Sequence, residues 1–84
     1  MRIFRSLVVV LALVATPALA AGPYFTTEQQ AEQHCPNDTV VWGNIPTLIY
    51  HFKGQRWYGR TKHGAFMCRR EADQAGFRAT LNGQ

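Results

Sequence analysis

Residues 39–52, TVVWGNIPTLIYHF, carry the clearest structural signal in this 84-residue chain. They contain two short runs of β-branched and aromatic residues, 39–42 and 48–52, joined by GNIPT. Runs of this kind, separated by a few turn-forming residues, are typical of a β-hairpin. Side chains alternate along a strand, so Tyr50 and His51 project to opposite sides. We therefore predict a hairpin with one face in the core.

A short helix is predicted on each side of this hairpin. Upstream, residues 25–35 contain two threonines, each followed three positions later by a glutamine, and a proline comes next. This is a capping-box pattern with a stop signal. Downstream, we interpret residues 53–62, KGQRWYGRTK, as a structured loop, and a second helix should begin near Cys68 and end at Gly76. The order of helix, hairpin, structured loop and helix predicts one small α+β domain.

Residues 1–20 are predicted to be a cleavable signal peptide. Two arginines precede an apolar run over residues 7–15, and Ala18-Leu19-Ala20 supplies the small residues of a cleavage site. The apolar run is shorter than the roughly 20 residues needed to cross a bilayer, so no stable membrane anchor is expected. The remaining domain, residues 21–84, is predicted to be exported to the periplasm or beyond the cell.

Cys35 and Cys68 are the only cysteines. In an exported chain an even count predicts a disulfide, and a domain of this size needs such a cross-link because its core is small. The alternatives are two free thiols or a metal site shared with His34 and His63. We expect the disulfide, with no metal and no other cofactor.

Several motifs in this region resemble those of a group of small exported bacterial proteins. They are VVWGN at 40–44, YHFKG at 50–54, WYGRTKHG at 57–64 and FMC at 66–68. The resemblance covers nearly all of residues 21–84. It implies export, and it implies no particular activity.

The same region more distantly resembles the small ββα zinc-binding module of DNA alkylation-repair regulators. Its Tyr-His pair is matched by Tyr50 and His51, but the positions matching its cysteines are Gln55, Thr80 and Gly83. Zinc needs several nitrogen or sulfur donors. The resemblance therefore implies a ββα arrangement without the metal.

Residues 51–70 form the candidate binding segment. They hold six of the seven lysines and arginines that follow residue 20, several aromatic residues and no acid. Cations beside exposed rings suit polyanions, although the rings are also candidates for the core of so small a domain. We predict a small binding module that contacts an anionic polymer or an acidic protein. The predicted contact residues are Lys53, Arg56, Trp57, Tyr58, Arg60, Lys62 and Arg69.

An alternative hypothesis is a degenerate nuclease-like hydrolase that uses His51 and His63 as acid and base. The sequence favours binding over catalysis, because neither histidine belongs to a metal-ligand motif or stands near a carboxylate in sequence. We expect His51, on a strand, to be structural, with a ring nitrogen bonded to the backbone.

Overall fold

A computed structural model describes residues 23–84. The predicted signal peptide lies outside the described residues. The elements are α1, Glu28–His34; β1, Val40–Asn44; β2, Ile49–Phe52; β3, Gly64–Cys68; α2, Arg69–Gln74; and β4, Arg78–Ala79. The α+β class, both helices and the hairpin are therefore confirmed. Within residues 23–84, no helix has the length and apolar character to span a membrane.

The strands form one mixed sheet in the order β3-β1-β2-β4. β1 pairs antiparallel with both β2 and β3, and β4 pairs parallel with β2. The hairpin thus lies at the centre of a larger sheet. β3 and β4 were not predicted, since GAFMC begins with glycine and alanine, which are depleted in strands, and β4 has only two residues.

One face of the sheet packs against α2. Tyr50 lies opposite Gly43, and Val41 lies opposite Met67, so all four residues share this face. Gly43 is required there because a Cβ would lie 2.7 Å from the Met67 sulfur. The core cluster on this face is formed by Val41, Tyr50, Ala65, Met67, Ala72 and Phe77.

Helix α1 begins with the predicted capping box. Thr27 accepts a hydrogen bond from the backbone N–H of Gln30, and the Gln30 side chain accepts one from the backbone of Thr27. Ala31 is fully buried, as expected for the inward face. The helix ends at His34, and Cys35 follows as its C-cap.

The Cys35–Cys68 disulfide is present, with the two Cα atoms 6.2 Å apart. It joins the end of α1 to the point where β3 passes into α2, because Cys68 is the last residue of β3 and the N-cap of α2. The predicted pairing is confirmed. Structural disulfides persist in oxidising compartments, so the bond indicates a non-cytoplasmic setting.

Asp38 supplies the N-terminal cap that α2 lacks. Cys68 makes no side-chain capping bond, and the Asp38 carboxylate instead accepts hydrogen bonds from the backbone N–H groups of Arg70, at 2.9 Å, and Thr39, at 2.7 Å. The bond from the Arg70 N–H lowers the pKa of Asp38 below its usual range, and the Thr39 bond and the Arg70 charge add to this. A residue distant in sequence therefore satisfies the helix terminus.

Removing the disulfide should destabilise the domain strongly. A Cys35→Ala/Cys68→Ala variant is expected to lose about 3 to 4 kcal/mol of unfolding free energy, because the unfolded chain regains the freedom of a loop of 33 residues. Urea unfolding followed by tryptophan fluorescence measures this. Equal midpoints for the variant, the oxidised protein and the reduced protein would contradict the structural role of the bond.

Asp38→Ala should cost about 1 kcal/mol at neutral pH, as expected for a lost helix cap. Because folding lowers the pKa of Asp38, its contribution is present above the unfolded-state pKa and is lost as the pH falls below about 4. The variant and the wild type should therefore converge in stability at acidic pH. Glu32→Ala, an exposed change on α1, is the control, and a constant gap across the pH range would refute the assignment.

Candidate binding site

The second face of the sheet carries a different set of side chains. Trp42 pairs with His51 on β2 and with Phe66 on β3, and the Trp42 and Phe66 rings meet edge to face at 4.8 Å. Gly64 lies directly against the Trp42 indole, where any Cβ would overlap the ring. Trp42 Nε1 donates a hydrogen bond of 2.7 Å to Thr61 Oγ1. This bond ties the loop after β2 to the sheet.

Residues 53–62, here called the basic loop, form a series of tight turns over this face. The backbone N–H of Arg60 donates to the carbonyl of Trp57, and Gly59 has a φ of 71°, which favours glycine. The Trp57 N–H donates to the Gln84 carbonyl at 3.0 Å, so the C-terminal segment is attached to the loop. The predicted structured loop is thus an ordered platform.

Four of the predicted contact residues are exposed on the basic loop and form no ion pair within residues 23–84: Arg56, Trp57, Arg60 and Lys62. The Arg56 guanidinium lies over the Trp57 ring, 4.9 Å from its centroid. Among the described residues, none of the three cations forms an ion pair. The loop therefore presents three unneutralised charges beside an aromatic ring that is 39% exposed.

Lys53 and Arg69, two of the other three predicted contact residues, have partners within the domain. Lys53 bonds to Glu28 at 2.9 Å, and that hydrogen bond and charge raise the pKa of Lys53. Arg69 donates to the Tyr50 hydroxyl at 3.2 Å and lies over the Phe52 ring. These two cations are already engaged by groups of the fold.

Tyr58 is half-buried on the second face of the sheet. Its ring meets Phe66 at 5.6 Å, and its buried hydroxyl has no hydrogen-bond partner within residues 23–84. Burial raises the pKa of Tyr58 to about 12, and the charge of nearby Glu28 adds to the shift. Tyr58 and Phe66 thus pack on each other outside the core cluster, while Trp57 is exposed.

A pocket of about 380 Å³ opens beside Trp57. It lies between the second sheet face, the basic loop and the C-terminal segment. Its lining residues include Asn44, Ile49, His51, Trp57, Thr61 and Gln84. Within the described part of the chain, no lysine, arginine, aspartate or glutamate lines it. Apart from His51 and Trp57, sequence reasoning missed these residues, because amides and hydroxyls scattered over 40 positions form no motif.

His51 lies in the wall of this pocket and is only 7% exposed. The sequence predicted a bond from its ring to the backbone, and for the described residues 23–84 this prediction is wrong: Nδ1 is buried and has no partner among them. The backbone of β2 is occupied by pairing with β1 and β4, so it offers no free group to the ring. A buried ring nitrogen without a hydrogen-bond partner is costly and is uncommon in native structures.

The hydrolase hypothesis requires His51 and His63 to act on one substrate. His63 is exposed and is not among the residues that line the His51 pocket. Its carbonyl accepts from the Ile45 N–H, next to the start of β3. The geometry therefore does not bring the two histidines to a common cavity.

A separate cluster combines His34, Glu71 and Cys68, with ligand atoms within 4.8 Å of one another. His34 Nε2 lies 2.9 Å from a Glu71 carboxylate oxygen, which links α1 to α2. The Cys68 sulfur is bonded to Cys35, so it offers no thiolate to a metal such as zinc. The cluster is a structural contact between helices.

No family model, no curated protein and no solved structure matches this chain.

If His51 is retained for a purpose other than folding, an apolar ring should replace it without loss of stability. We expect His51→Phe to leave the unfolding free energy unchanged or to raise it by up to about 1 kcal/mol, because an unbonded buried nitrogen is removed. Trp42→Phe, which loses the bond to Thr61, should instead destabilise by about 1 to 3 kcal/mol. Urea unfolding measures both. A loss above about 2 kcal/mol for His51→Phe would show that the fold depends on the imidazole.

Proposed function

We propose that this protein is a small exported module that binds an anionic polymer through the basic loop. The proposal depends on one observation: Arg56, Arg60 and Lys62 are exposed on the loop that carries Trp57, and none of them has an ion-pair partner among the described residues. Arginine and lysine side chains neutralise polyanions and displace their counterions. An exposed ring next to them adds a surface on which a flat ligand group can stack.

The distribution of charge supports this proposal. All five acidic residues lie on α1, on α2 or in the turn after α1, and several are engaged there by Lys53, His34 and the backbone of α2. The basic loop contains no acid. A polyanion that approaches the loop therefore meets little repulsion from the same surface.

The disulfide supports the proposed location. A bond that closes a loop of 33 residues in so small a domain needs an oxidising compartment to persist. The predicted signal peptide supplies a route to the periplasm or the exterior. We propose that the module meets its partner there.

Binding of a polyuronate, measured by calorimetry at about 50 to 300 mM NaCl, tests the proposal. We expect affinity to fall steeply with salt, and Arg56→Gln/Arg60→Gln to weaken binding by about tenfold or more at the lowest salt and to flatten the salt dependence.

The matched control is Arg69→Gln/Arg70→Gln, which removes the same two charges from α2 and should cost much less. Equal losses for the two double variants would mean that only net charge matters. Binding that is absent at low salt, or insensitive to salt, would refute the proposal.

A further inference from the structure

The pocket beside Trp57 differs in chemistry from the loop that borders it. The basic loop is cationic, whereas most of the exposed surface of the pocket is apolar, including that of Ile49 and Trp57, and its polar groups are amides, hydroxyls and an imidazole. A volume of about 380 Å³ falls in the range of small-molecule sites. Such a lining suits an uncharged, hydroxyl-rich group and offers no counter-charge to a phosphate or a carboxylate.

Several polar atoms in the pocket wall have unused hydrogen-bonding capacity. Within residues 23–84, neither nitrogen of His51 makes a hydrogen bond, and Nδ1 is buried. Nδ1 is buried, so Nε2 is the ring nitrogen with which a ligand in the pocket forms a hydrogen bond. An imidazole can donate or accept, as its tautomer allows.

Asn44 and Thr61 add complementary capacity. The Asn44 amide nitrogen donates to Thr47 at 3.0 Å, and its side-chain oxygen accepts no bond within the described residues. The Thr61 oxygen accepts from Trp42, which leaves its own hydrogen available. The pocket thus offers the Asn44 side-chain oxygen as an acceptor, the Thr61 hydroxyl as a donor and the His51 ring as either. A sugar hydroxyl, which both donates and accepts, matches this set.

Trp57 stands at the rim, between the pocket and the cations. Its ring is large, apolar and partly exposed, with Arg56 over it. The apolar C–H face of a sugar ring packs on such a surface while its hydroxyls reach polar groups beside it. A chain that fills the pocket with one ring and continues over Trp57 would reach Arg56, on the loop that also carries Arg60 and Lys62.

From this juxtaposition we infer that the pocket binds one sugar residue of an acidic polysaccharide, whose neighbouring acidic groups lie on the basic loop. The inference rests on the proposed function, because the cations supply the affinity for the acidic groups. The pocket makes the protein bind acidic polysaccharides more tightly than polyanions that lack sugar rings with free hydroxyls. His51 Nε2 donates to or accepts from a ring hydroxyl of the sugar, while Nδ1 stays buried.

The test compares three probes with the wild type by calorimetry: a short oligouronate, a neutral hexose oligomer of equal length, and single-stranded oligothymidylate. We expect the oligouronate to bind tightest, the neutral oligomer to bind weakly without salt dependence, and the oligothymidylate to bind more weakly than the oligouronate at equal salt. Tighter binding of oligothymidylate that depends on His51 would overturn the ligand class.

Two variants locate the sugar. His51→Phe should weaken oligouronate binding by about tenfold with an unchanged salt slope, as expected for one lost hydrogen bond, and Trp57→Leu should do the same without touching the interior. His63→Phe, outside the pocket, is the control and should bind as the wild type does.

The outcomes separate this inference from the proposed function. Salt-dependent binding that needs Arg56 and Arg60 but is indifferent to His51→Phe and Trp57→Leu would overturn the pocket assignment and leave the proposed function standing. Failure of the oligouronate to bind at low salt would overturn both.

Discussion

The Cys35–Cys68 disulfide joins the end of α1 to the start of α2, and the rest of the domain depends on this junction. Around it, residues 34–38 contact residues 68–71 in three ways: the disulfide itself, the His34–Glu71 pair and the Asp38 cap on α2. A sheet of short strands and two helices of six or seven residues has little intrinsic stability. A covalent link, a side-chain hydrogen bond and a helix cap are concentrated at this junction, where they hold both helices, and Arg56, Arg60 and Lys62 take no part in them.

The acidic and basic residues of the domain have different structural roles. The acids serve α1, α2 and the turn between α1 and β1, and they engage Lys53 and the α2 backbone. Arg56, Arg60 and Lys62 of the basic loop form no ion pair among the described residues. The loop is held by the Lys53–Glu28 pair and by two neutral contacts, the Trp42–Thr61 bond and the bond from Trp57 to Gln84. The proposed binding and the stability of the domain therefore depend on different charged residues, so each can be altered separately.

The sequence was sufficient for the elements with local signals. Thr27 and Gln30 predict the start of α1, and the runs of β-branched and aromatic residues in 39–52 predict the hairpin. Two cysteines allow only one disulfide pairing. β3 and β4 depend on tertiary pairing with strands already formed, and no local pattern marks them. The candidate site could be predicted only in part for the same reason. The density of positive charge in the sequence indicated Arg56 and Arg60. The pocket around His51 depends instead on the sheet register and on a C-terminal segment more than 30 positions away, which no local pattern reveals.

The central claim is that one surface joins the basic loop to the His51 pocket in binding an acidic sugar chain. Its most direct test is a map of backbone amide chemical shifts in the labelled protein as a short oligouronate is added. We predict that the shifts fall on the basic loop, on the strand residues around His51 and on the C-terminal segment, and that the His51 ring resonances move with them. Shifts confined to α1 and α2, or confined to the basic loop with the His51 ring unmoved, would contradict it.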